Sequence, residues 1–455
     1  MRLPIPVAAA LLLAASPGAA HAATVTTETR CEQSGKEFPQ YPCFTQAHFV
    51  AAPGEANDVL VGLGETGIRF RDRGAVLTAT GNCQSIDDHE VVCGAEVGDV
   101  MTGDGDDRVA PDPASPSTSY RRAIVARGEE GDDVLDGGPF PDTLIGGPGD
   151  DTLRGGEAGD DLVAGSGTDV VEAGEGVDLI DLLDEDGVAL PDRADGGSGV
   201  DTLRYDRGPS PVDVDLATGR AGAAAAGDTF TAIESLRGGS GLDNLAGDAG
   251  ANAISGGDGG GRIAGRGGDD SLSAGEGTHT LDGGEGNDRL EGGEADSLHF
   301  GGPGDDILDV NGALADGGDG DDRITVALPP RGTMRVRCGA GRDVATAQRR
   351  VALGDDCEWA AFGARVAFRR EIRVLGSIAT TPVRSEADFG ARFVVRDTAG
   401  RRIGAGPWDG GVGHARIYLS REALRRVRRV RRLPVTVEEA RRPAVRAPAV
   451  LFARA

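Results

Sequence analysis

Six aspartates, Asp133, Asp142, Asp151, Asp160, Asp169 and Asp178, recur at a spacing of nine residues along 128–181, with nothing inserted between them. Two residues after each comes an aliphatic side chain: Leu135, Leu144, Leu153, Leu162, Val171 and Ile180. Carboxylates are hard oxygen donors, and a regular series of them suits Ca²⁺ rather than a soft or nitrogen-seeking metal. If folding brings them close together without a cation, like charges repel, which opposes compaction. The chemistry on offer is cation binding coupled to folding.

The element that must position these groups is a unit of the form GGxGxDxUx, where U is aliphatic. Glycines in the first six residues permit left-handed backbone angles and a tight turn, and the last three residues can extend as a short strand. A second block, 238–309, holds eight more units in unbroken register, with Asp270, Asp288 and Asp306 among its sixth positions. Isolated units occupy 102–110, 196–204 with Asp201, and 317–325 with Asp322. The 74 glycines and 4% aromatic content would also suit a disordered linker. A linker, however, does not need an aliphatic residue at every ninth position.

As it stands in GGPGDDTLR (146–154) and GGEGNDRLE (283–291), the unit resembles the RTX, or haemolysin-type, calcium-binding nonapeptide repeat. The resemblance implies a parallel β-roll in which two units make one coil, U points inward, and turns stack along two opposite edges. It also implies that Ca²⁺ lies between stacked turns. The metal-ligating residues expected on this basis are Asp133, Asp142, Asp151, Asp160, Asp169, Asp178, Asp201, Asp270, Asp288, Asp306 and Asp322.

Since alternate units project to opposite edges, the edges of the second array are expected to differ. One carries Asp243, Gly261, His279 and Ser297; the other carries Asn252, Asp270, Asp288 and Asp306, continued by Asp322 if 310–316 is a shortened unit. The second is expected to bind and the first is not. In the first array, Phe140 and Ala158 replace fourth-position glycines, where a side chain resists left-handed angles. The edge of Asp133, Asp151 and Asp169 is therefore expected to be the better binder there.

The expected fold is all-β: two parallel β-roll arrays flanked by a disulfide-stapled β-rich N-terminal domain and a β-sandwich-like C-terminal domain. Residues 1–22 read as a secretory signal, with an apolar run followed by Ala20-His21-Ala22, so the mature chain is expected to be extracellular. Next come the N-terminal domain at 23–110 and a linker at 111–127. The first roll spans 128–204, a β connector 205–237 and the second roll 238–326. A stapled cap at 327–360 precedes the basic C-terminal domain at 361–455, in which 420–430 has the spacing of a short helix. Six cysteines fall into three close pairs, Cys31/Cys43, Cys83/Cys93 and Cys338/Cys357, as suits an oxidising compartment.

The net charge of −27 is unevenly distributed: 361–455 holds 21 arginines against 8 acidic residues, net +13, leaving −40 on the rest. An acidic body argues against nucleic acid. After the N-terminal run, no stretch approaches the roughly 20 apolar residues of a membrane span. HEVVC (89–93) lacks the second histidine of HExxH, GxSxG does not occur, and GLGETG (62–67) precedes a strand-like run. LPVTV (433–437) has valine where a sortase signal needs glycine.

The reading is a secreted, non-enzymatic calcium-binding β-roll acting as a scaffold or surface-interaction module, with calcium ions as its partner. One alternative is a secreted hydrolase or lyase with its centre in the terminal domains. Another is an adhesin that binds anionic wall polymers through the basic C-terminal domain.

Overall fold

The computed structural model describes residues 22–31, 43–64, 67–95, 97–115, 123–184, 190–225, 227–294, 296–326 and 334–347, and from 351 onward the strands alone. Every element among them is a strand, and none is a helix long and apolar enough to cross a membrane. The expected helix at 420–430 lies outside the described residues. The chain divides into two units, 1–157 and 158–455.

In the first unit, each of two parallel sheets contributes a column of buried apolar side chains. One sheet pairs Asp58–Gly64 with Arg108–Pro111, then Val134–Gly138, then Thr152–Gly156, which brings Val59, Val109, Leu135 and Leu153 into one column. The other pairs Cys43–Val50 with Val97–Met101, then Ile124–Arg127, then Thr143–Pro148, and aligns Phe49, Val100, Ala126 and Leu144. All eight side chains are fully buried. Burying a side chain of Val or Leu size contributes roughly 2 kcal/mol, so the columns hold the coils together.

The strands of 23–110 thus share the two sheets of the repeats. Two antiparallel hairpins close this end, Ala23–Cys31 with Cys43–Val50 and Asp58–Gly64 with Gly67–Asp72. Cys31 and Cys43 are paired in register, and Cys83 and Cys93 form a disulfide across the hairpin of Cys83–Asp87 and Glu90–Cys93.

In the second unit, one column runs unbroken through Leu162, Ile180, Leu203, Leu236, Ile254, Leu272, Leu290, Leu308, Ile324 and Ala345. It crosses both arrays and the connector. The facing column comes in two runs: Val171, Ala194 and Phe230, then Val214, Leu245, Ile263, Leu281, His299, Ala315 and Val336. Between them lies an antiparallel hairpin, Val212–Asp215 with Arg220–Ala223.

Cys338 is disulfide-bonded; its expected partner, Cys357, lies outside the described residues. The C-terminal segment, expected as a small sandwich-like β domain, is built of strands. Those from Ile372–Leu375 to Arg442–Ala453 are otherwise antiparallel and close as a barrel through one parallel pairing, Ile372–Leu375 with Arg442–Ala453.

Candidate metal centre

Each turn is set by its glycines. At the fourth position, Gly149 and Gly286 take φ of 147° and 134°, and a β-carbon on either would collide with the carbonyl oxygen of the preceding turn, Gly131 or Gly268. Side-chain-free backbone therefore lets successive turns approach through their carbonyls. Ala158, one of the expected departures, is held at φ 73°, a region that costs an alanine energy.

The sixth-position aspartates form ladders. In the first unit, the Asp107 amide donates to Asp133 Oδ1 and the Asp133 amide to Asp151 Oδ1, each at 2.8 Å, while the Ile124 amide donates to Asp142 Oδ1 at 2.6 Å. In the second, Asp160 donates to Asp178, and Asp178 to Asp201, at 2.8 Å, and Asp201 then donates to Glu234 Oε2 at 2.9 Å. The Asp169 amide reaches Asp192 at 2.8 Å, and that of Asp192 reaches Asp228 at 3.1 Å. The longest ladder runs from Asn252 through Asp270, Asp288, Asp306 and Asp322 to Asp343 at 2.7–3.0 Å. The step from Asp306 to Asp322 spans 16 residues instead of 18, because 310–316 is a shortened unit.

These bonds use one oxygen of each carboxylate. The other, Oδ2, is buried without a hydrogen-bond partner in Asp133, Asp270, Asp288, Asp306 and Asp322. It lies beside the first-position glycine of its own unit and the carbonyl of the next coil on that edge. A β-carbon on Gly265 would strike both Asp270 Oδ2 and Gly283 O, and one on Gly283 both Asp288 Oδ2 and Gly301 O.

A buried, unsatisfied carboxylate oxygen is costly. Burial accordingly pushes the pKa up to about 7 in Asp133, Asp142, Asp270 and Asp306, and to about 6 in Asp151, Asp201 and Asp322, against the lowering effect of the donated amides. Asp178 and Asp288 are raised by the same cause. The donor set, carboxylate oxygens with main-chain carbonyls and no nitrogen or sulfur, fits Ca²⁺. No cluster of three or more His, Cys, Asp or Glu side chains capable of holding a metal occurs among the described residues.

All eleven expected ligands stand in these ladders. Asp107, the sixth position of the unit at 102–110, joins the ladder although it was not among the expected ligands. Sequence reasoning missed Asp192, Asp228, Glu234 and Asp343. Each of these is followed by x-U (Ala194, Phe230, Leu236, Ala345), so a three-residue acid-x-U pattern would have found them where the glycines have diverged. Also missed were a final unit at 338–346, with Cys338 at its first position, and a second ladder at the fifth position. In the latter, Asp150 donates to Asp132 at 2.9 Å, Asp305 to Asn287 at 2.8 Å and Asp321 to Asp305 at 2.7 Å, opposite in sense to the sixth-position ladder.

The depleted edge is different. Asp243, Gly261 and His279 are in register, and the His279 amide donates to Ser297 Oγ at 3.1 Å. Both oxygens of Asp243 are already satisfied, Oδ1 by the Val212 amide and Oδ2 by the Gly239 amide. His299 stands at a U position in the core, where burial lowers its pKa to about 4. At HEVVC, Glu90 pairs with Arg69 and Arg71, and the His89 ring binds the Ala75 carbonyl at 2.7 Å. Of GLGETG, Gly62, Leu63 and Gly64 lie on one strand of an antiparallel pair and Gly67 on the other.

Coils of two short parallel strands, stacked over an aliphatic file and edged by carboxylate-lined turns, define a parallel β-roll. A family model described as RTX calcium-binding nonapeptide repeat (4 copies) matches residues 127–162, 154–188, 229–263, 255–290, 264–298 and 282–312, so the chain carries RTX calcium-binding repeats over 127–188 and 229–312. No curated protein matches the chain.

Proposed function

We propose that this is a secreted, non-enzymatic scaffold whose β-roll folds on calcium. The ions are held by Asp133, Asp142, Asp151, Asp160, Asp169, Asp178, Asp201, Asp270, Asp288, Asp306 and Asp322 together with turn carbonyls. The supporting observation is the ladder itself: in Asp133, Asp270, Asp288, Asp306 and Asp322 one carboxylate oxygen is bonded to an amide and the other is buried without a hydrogen-bond partner beside a carbonyl. Bound Ca²⁺ would neutralise the stacked charge, while the chain's own amides orient each carboxylate and its aliphatic file excludes water. The basic C-terminal segment, net +13, is proposed as the face presented to anionic surface polymers.

A calcium titration of the purified chain followed by far-ultraviolet circular dichroism and hydrodynamic radius tests the reading. Gain of β signal and compaction at millimolar Ca²⁺, with Mg²⁺ a poor substitute given its stricter octahedral demand, is the expected result. Unchanged spectra and radius after EDTA treatment would overturn it.

A further inference from the structure

We propose that Arg266 supplies the cation at the start of the second array, so that the turn between Glu234 and Asn252 closes on a guanidinium and takes no calcium. The proposal rests on the calcium reading of the neighbouring turns. In those turns, a first-position carbonyl such as Gly283 O flanks the open carboxylate oxygen of the preceding coil on its edge, Asp270 Oδ2. By the same register, the carbonyl flanking the Glu234 coil belongs to Gly247, since Leu236 aligns with Ile254.

That carbonyl is occupied. Arg266 Nη1 donates to Gly247 O at 2.7 Å, and the guanidinium grips Asp215 with both nitrogens, at 2.7 Å to Oδ1 and 2.8 Å to Oδ2. Arg266 stands at the second position of its unit, where most units carry glycine, and it accepts φ of 79° to do so.

Two further substitutions at this boundary agree. Glu234 replaces aspartate at one sixth position and spends Oε2 on the Asp201 amide at 2.9 Å. Asn252 replaces aspartate at the next, and its Nδ2 donates to Glu234 O at 3.3 Å, a bond no carboxylate can make. The ladder loses a carboxylate at Asn252 where the guanidinium of Arg266 is gained, and Asp215 and Asp248 are the acidic groups that face it. Since a guanidinium stays protonated at every accessible pH, this closure does not depend on calcium.

Its consequence is a division of the ladder. Calcium-dependent turns lie on either side, Asp160 to Asp201 and Asp270 to Asp343. Between them the hairpin strand Val212–Asp215 is tied to the second array by a permanent cation.

Two measurements on the full chain test this. Calorimetry with calcium chloride should count one more bound ion in the double variant Arg266→Gly/Asn252→Asp than in the wild type, and no more in Asn252→Asp alone. Equal counts for the double variant and the wild type overturn the proposal. Hydrogen exchange in EDTA needs no bound ion and covers the case of a poorly folding double variant. Amides of 212–215 and 244–246 should stay protected when those of 271–273 and 289–292 exchange, and Arg266→Gly should abolish the difference. Uniform exchange in the wild type overturns the clasp. A wild type that binds no calcium yet shows this protection would overturn the calcium reading instead.

Discussion

Asp288 and Asp243 are the same residue type at the same position of the repeat, yet their surroundings differ in the way that decides ion binding. Asp288 accepts one amide, from Asp270, and its Oδ2 is buried without a hydrogen-bond partner beside a carbonyl. Asp243 accepts an amide on each oxygen and is followed along its edge by glycine, histidine and serine. Replacing Asp288 by Ala is therefore expected to remove two bound ions, because its carboxylate is shared by the turns above and below. Replacing Asp243 by Ala should leave the calcium count unchanged while lowering stability by about 1–3 kcal/mol through two orphaned amides. Calorimetric stoichiometry separates the outcomes, and equal losses from the two variants would show that the edges do not differ.

At the scale of the element, what the sequence made legible was the strand and turn wherever glycine, aspartate and the aliphatic position coincide. Nine-residue spacing placed Leu135 and Leu153, or Leu272 and Leu290, in one column because a coil of two identical units has a single register. It could not reach the coils in which the turn is built otherwise. Ala194 and Phe230 continue the file at wider intervals, since a coil may lengthen at its turns while keeping its strands. The extension of the second sheet upstream to Phe49 was hidden for the same reason: no glycine hexapeptide precedes that strand.

The final unit, 338–346, was masked by its cysteine, whose carbonyl stands beside Asp322 Oδ2 as a glycine carbonyl does in earlier coils. The last turn thus depends on a disulfide-bonded residue at the end of the ladder. Replacing Cys338 by Ser should weaken the terminal site by about tenfold, near 1.4 kcal/mol, and leave the Asp270 and Asp288 sites intact. Calcium titration of the variant would refute this if all sites kept wild-type affinity.

For the whole molecule, the raised carboxylates set how the fold responds to acid. Nine aspartates, Asp133, Asp142, Asp151, Asp192, Asp201, Asp228, Asp270, Asp306 and Asp322, are shifted from 3.8 to values of about 6 to 8, in each case mainly by burial. Without calcium, the folded state holds these protons more tightly than the unfolded chain. Between the two sets of values it therefore binds more protons, and its stability falls as pH rises. The contribution is fully present below about pH 4 and is lost as pH climbs through 6 to 8. His299 acts in the opposite sense, since its lowered pKa of about 4 removes stability as pH falls below its ordinary value of 6.5. One such group is outweighed by nine carboxylates.

Bound calcium is expected to reverse the dependence. An ion requires the deprotonated carboxylate, so affinity should weaken as pH drops from 7.5 towards 5.5. The expected behaviour is a chain that gains β signal in EDTA on acidification from pH 8 to 5, and that at pH 8 needs calcium to reach the same signal. Circular dichroism across that range, with and without calcium, decides it. Loss of β signal on acidification in EDTA would mean that the buried carboxylates are ionised in the calcium-free fold, and that some other cation balances the ladders.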